Sequence, residues 1–147
     1  MKNLVFIALI LFVCGCKKKI IVENEEITNY SWPLKSATIN PAMNVDGKST
    51  TNYMTMAGAS GCLNNNYTLS FSKDGSYAFS SNGPLCDMIS YVNSKWTKSG
   101  NDIILTDSVI SRTQKYYLSG NTITNEYSFN QNGIDYTVRY TFIAKKK

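Results

Sequence analysis

The chain contains no histidine among its 147 residues. Histidine is the commonest general base at neutral pH and a common metal ligand, so both roles lose their usual carrier. No Ser-His-Asp or Cys-His arrangement is available either. The ten acidic residues are mostly isolated, on turns or near the amino end, and none form an evident pair for glycoside chemistry. The expectation is a non-enzymatic protein with no catalytic residue, no metal and no cofactor. Also missing is any long apolar stretch with a 3.6-residue period, which argues against a helical fold.

A basic surface is lacking as well. The net charge is +5, but Lys2, Lys17 to Lys19 and Lys145 to Lys147 lie towards the two ends. Between Ile20 and Ala144 there are eight basic and ten acidic residues, about −2 by that count. A nucleic-acid partner would need a basic face, so none is expected.

The apolar run that is present stretches from Leu4 to Val13, after the positive Lys2. A spanning helix needs roughly 20 apolar residues, and this run is about half that. A positive start, a short apolar region and a small residue before a cleavage point make an export signal. Val13-Cys14-Gly15-Cys16 resembles the bacterial lipobox, with Cys14 where alanine or serine is usual. The resemblance implies a signal peptide over 1–15, an acylated Cys16 (diacylglycerol, with palmitate among its acyl chains) as the first mature residue, and a tether over 16–29. Two acyl chains would hold the protein to a membrane, and Lys17 to Lys19 suit anionic headgroups. Lys17 stands where an aspartate would signal inner-membrane retention, so the outer membrane is expected, with the leaflet open.

The remaining 132 residues are one domain's worth of chain and can bury a core. Cys62 and Cys86 remain after export. In an oxidising compartment an even pair is most simply one disulfide; two buried thiols or a metal pair are the alternatives.

From Tyr30 onward the chain is rich in Tyr, Thr, Ser, Asn and Ile, which favours strands and turns. Candidate strands are Trp32 to Asn40, Tyr67 to Ser72, Ser76 to Ser81, Ile89 to Thr97, Asp102 to Thr106, Val109 to Leu118, Thr122 to Phe129 and Asp135 to Ile143. Pro33 should start the first strand or mark an edge. Asp74-Gly75 between alternating strands is the strongest hairpin signal. It brings the flanks holding Cys62 and Cys86 to the same end. In the last strand Tyr136, Val138, Tyr140 and Phe142 share one face, and Asp135, Thr137, Arg139 and Thr141 share the other. In the Val109 to Leu118 strand Ile110, Tyr116 and Leu118 are in phase. About eight antiparallel strands on short turns suit an up-and-down barrel or a sandwich. The 41–66 segment is too long for a hairpin turn, and a short helix or an ordered lid is expected there.

The order of these features resembles the lipocalin-like domain of small lipoproteins of the Bacteroidota. Its marks are Trp32-Pro33-Leu34, then Cys62, then Tyr67 to Phe79 with the Asp-Gly turn. Cys86-Asp87, Ser94-Lys95-Trp96 and Tyr140-Thr141-Phe142 follow, with Ser94 where glycine is usual. The resemblance covers roughly Tyr30 to Lys145. It implies an all-β, eight-stranded barrel over 30–147 with a partly helical connection after the first strand, and it includes both cysteines.

Such a barrel can hold one small ligand. The leading expectation is an envelope protein, acting as a monomer, that binds an apolar or amphipathic molecule. The long connection, with Tyr53, Met54 and Met56, would lie at the ligand's end of the barrel, since methionine adapts to irregular apolar shapes. The alternative is an interaction module with a packed interior that meets a protein or glycan through its loops, where tyrosines serve well. A cavity above about 300 Å³ favours carriage. An integral outer-membrane barrel is rejected, because several strands are too short and no lipid-facing apolar band is evident.

Overall fold

A computed structural model describes residues 26–56, 60–83 and 91–147. The signal region, Cys16, Lys17 to Lys19, Cys86 and Ile89 lie outside the described residues. The strands are β1 (Tyr30–Val45), β2 (Lys48–Asn52), β3 (Thr68–Phe71), β4 (Tyr77–Ser80), β5 (Ser94–Ser99), β6 (Asp102–Asp107), β7 (Arg112–Ser119), β8 (Thr122–Gln131), β9 (Ile134–Ile143) and β10 (Lys145–Lys146). Eight of them form one antiparallel path, β4-β3-β1-β9-β8-β7-β6-β5, with β2 and β10 attached to β1. The ends of the path approach each other through a Ser76–Lys95 bridge. The result is a nearly closed, eight-stranded barrel of lipocalin-like architecture, the expected fold class.

Closure centres on the Asp74-Gly75 hairpin. Gly75 has φ +81°, a left-handed conformation that costs glycine little. The Asp74 carboxylate accepts from the Ser76 amide at 2.9 Å and its hydroxyl at 2.6 Å. The Gly75 carbonyl then accepts from the Trp96 amide across the seam at 2.9 Å. The Trp96 indole donates to the Ser72 carbonyl at 3.1 Å, and its ring meets Phe71 edge-on.

Pro33 neither starts its strand nor lies on an edge strand. It sits inside β1, opposite Thr68. The Leu34 amide points towards β3, donating to the Tyr67 carbonyl at 2.7 Å. Alternation therefore turns the proline nitrogen to the other side. There the ladder has a break, between the Ser31–Lys145 pair of β10 and the Leu34–Phe142 pair of β9. A missing donor is tolerated at that break. β10 makes the carboxyl end part of the sheet, and the Lys147 ammonium donates to the Thr28 and Phe71 carbonyls at 2.8 and 3.2 Å.

The connection after the first strand is less helical than expected. β1 runs on to Val45 and turns through Asp46-Gly47 into β2, so much of 41–66 is a hairpin. Among the described residues a 3-10 turn at Tyr53–Thr55 and a four-residue helix α1 (Ser60–Leu63) follow. Val109 and Ile110 are corrected too: they form an exposed turn before β7, 64% and 47% accessible. The Asp107 carboxylate holds that turn, accepting from both amides at 2.9 and 3.4 Å, and from the Ser94 hydroxyl at 2.9 Å.

The core follows the inward alternation of the strands. Trp32, Leu69, Phe71, Ile103, Leu118 and Phe142 are fully buried in the main cluster. A smaller cluster joins Ile39, Met56, Tyr136 and Val138. On the opposite face of β9, Arg139 pairs with Glu126 of β8 at 2.9 Å, as its wet side leads one to expect.

Cys62 is the one described cysteine and it is disulfide-bonded; Cys86, its expected partner, lies outside the described residues. Burial in the main cluster beside Leu63 and Tyr67 positions this segment. The flanks do meet at one end: the Asn82 amide and the Ser81 hydroxyl both donate to the Asn65 carbonyl, at 2.7 and 2.9 Å.

Candidate functional site

β7 and β8 are both long, yet they pair only at Tyr117–Thr124, Leu118–Ile123 and Ser119–Thr122, beside their connecting turn. Beyond that point β7 stays paired with β6, and β8 with β9. The wall therefore splits along residues 112–116 and 125–131. At the fork the Asn125 side chain takes the place of a main-chain rung, its amide donating to the Lys115 carbonyl at 2.8 Å.

A cavity of about 610 Å³ lies at this split. Leu63, Tyr67, Phe79, Tyr116 and Phe142 make its apolar side. The Tyr67 and Phe79 rings stack 4.9 Å apart, and Phe142 lies 6.2–6.5 Å from Tyr67, Phe79, Tyr116 and Tyr140. The polar side comes from the two parted strands, Arg112 to Lys115 on one and Asn125 to Tyr127 on the other. Gln114 and Tyr116 share one face of β7, and Thr113 and Lys115 the other. Both faces of one strand can line a cavity only where it passes the strand's edge.

The charges at the split are engaged. Arg112 donates to the Gln114 side chain at 2.6 Å, Lys115 pairs with Asp102 at 2.7 Å, and Glu126 pairs with Arg139. Three tyrosines add a hydroxyl cluster: Tyr127 donates to Tyr53 at 3.1 Å and lies 3.5 Å from the Tyr140 hydroxyl. Burial strips water from all three and pushes each pKa up to about 12. They are neutral at pH 7 and can donate as well as accept.

Of the residues expected near a ligand, Tyr53 reaches the cavity's wall through Tyr127 and Tyr140. Met54 packs against the main cluster, with its carbonyl accepting from the Asn64 side chain at 2.7 Å. Met56 is 5% accessible and belongs to the smaller cluster. The cavity lining comes instead from β7, β8, β9 and the segments that carry Leu63, Tyr67 and Phe79. Asn125 carries one local signal in the sequence: it stands between Ile123 and Tyr127, where a polar residue interrupts apolar ones at alternate positions.

Among the described residues no group of His, Cys, Asp and Glu could hold a metal ion, and no helix is long and apolar enough to cross a membrane. What the fold and site define is a lipocalin-like barrel with an amphipathic cavity at a split in its wall. No family model, curated protein or solved structure matches the chain.

Proposed function

We propose that the protein is a non-enzymatic carrier, anchored to the cell envelope by lipid on Cys16, that holds one small amphipathic molecule in its barrel. The cavity carries this reading. Its volume of about 610 Å³ is well above the roughly 300 Å³ at which ligand sites begin, and it joins aromatic and aliphatic walls to a polar mouth. That favours carriage over a packed interaction module. Anchoring rests on the lipobox-like run ending at Cys16, and the outer membrane on Lys17 beside it.

Two experiments test the parts separately. The neutral apolar dye N-phenyl-1-naphthylamine should bind the mature protein saturably at one site. Gln114→Trp, which fills the cavity from β7, should abolish the binding while the fold is kept. Dye binding unchanged by Gln114→Trp would count against the cavity. For the anchor, mass spectrometry should find an acylated Cys16 as the first mature residue, and Cys16→Ser should release the protein from membranes; an unmodified mature amino end would refute it.

A further inference from the structure

Asn125 is 5% accessible and lines the cavity, and its side-chain oxygen has no hydrogen-bond partner among the described residues. Its nitrogen is committed to the Lys115 carbonyl, so the amide is fixed in one sense: donor towards β7, acceptor left over. Leaving such an acceptor buried and unpaired is costly. A retained cost of this kind at a cavity wall has a natural use, because a donor on the bound molecule removes it.

We infer that the cavity selects an uncharged amphiphile whose head donates a hydrogen bond to the Asn125 side-chain oxygen: an alcohol or a primary or secondary amide on an apolar tail. This rests on the carrier reading and deepens it. The oxygen is itself buried, so the inference requires rotation about the Asn125 Cβ–Cγ bond, a broad torsion, to bring it to the cavity surface when a ligand binds. Lys115 and Glu126 are paired with Asp102 and Arg139, while Arg112 donates to the neutral Gln114 side chain and keeps its charge. A carboxylate head brings only acceptors to the Asn125 oxygen and leaves it unpaired, whatever it gains from Arg112. An ester head would bring only acceptors.

Four probes sharing a ten-carbon tail separate these cases: decanol, decanamide, methyl decanoate and decanoate, each displacing N-phenyl-1-naphthylamine from the mature protein at pH 7. Decanol and decanamide should compete about ten-fold more strongly than methyl decanoate, the equivalent of roughly 1.4 kcal/mol, and more strongly than decanoate. Asn125→Leu should erase the gap between decanol and methyl decanoate. Equal ranking of alcohol and ester, or decanoate as the best competitor, overturns the inference while the carrier reading survives. Failure of the dye itself to bind overturns both. If Asn125→Leu does not fold, the ranking on the unaltered protein still decides.

Discussion

Phe142→Ala is the most informative single change to the barrel. Phe142 is fully buried on β9, with four aromatic rings 6.2–6.5 Å from its own, and it forms part of the cavity's apolar side. Truncating a buried phenylalanine usually costs about 3–5 kcal/mol, the sum of lost transfer energy and the void left behind. Here the void opens into a cavity that already exists. Water or neighbouring rings can occupy it, so the void term shrinks and the expected loss is at the lower end, about 3 kcal/mol. For a domain of this size roughly 4 °C of Tm goes with each kcal/mol, so Tm should fall by about 12 °C. Urea unfolding followed by the emission of Trp32 and Trp96 measures it directly. Trp32 lies in β1 and Trp96 in β5 at the closing seam, and both should report one shared transition. A loss below about 1 kcal/mol would refute the placement of Phe142 at the centre of the aromatic cluster. Coincident unfolding with an enlarged capacity for N-phenyl-1-naphthylamine would support both the packing and the cavity.

Further outcomes follow from the same geometry. Gly75→Ala forces a side chain into a left-handed backbone at the closing hairpin and should cost about 1–2 kcal/mol, measured by urea unfolding; no loss would mean the turn is not held as described. Tyr53, Tyr127 and Tyr140 should ionise near pH 12, read by tyrosinate absorbance and assigned with single Tyr→Phe changes. Their folded-state values lie above the unfolded one of 10, so the stability they confer is whole below pH 10 and drains away as pH rises towards 12. Asp107 behaves in the opposite sense. The Ser94 hydroxyl, followed by the Val109 and Ile110 amides, holds its carboxyl below the usual 3.8. Its contribution is present above that value and is lost as pH falls through the lower folded-state value, which carboxyl-resolved NMR titration will locate.

That the fold is all-β was legible in the residues alone. Period-two alternation in residues 136–142, the Asp74-Gly75 turn and the short polar turns at Ser99-Gly100 and Ser119-Gly120 are local signals. Each acts within a few residues, so each can be read without knowing what lies across the sheet. Where β1 would end was not legible. Beyond Pro41 its residues are polar and exposed, and it is pairing with β2 that makes them a strand. Ile110 read as core because alternation was extrapolated backwards across Ser111, whose positive φ breaks it. The site itself was decided by tertiary structure alone. Asn125 is an ordinary polar residue until β7 and β8 part beside it. That parting depends on the two strands keeping their outer partners, β6 and β9, and not each other. Sequence periodicity specifies which face of a strand turns inward, but it holds no information about which edges are left unpaired; that depends on how the whole barrel closes.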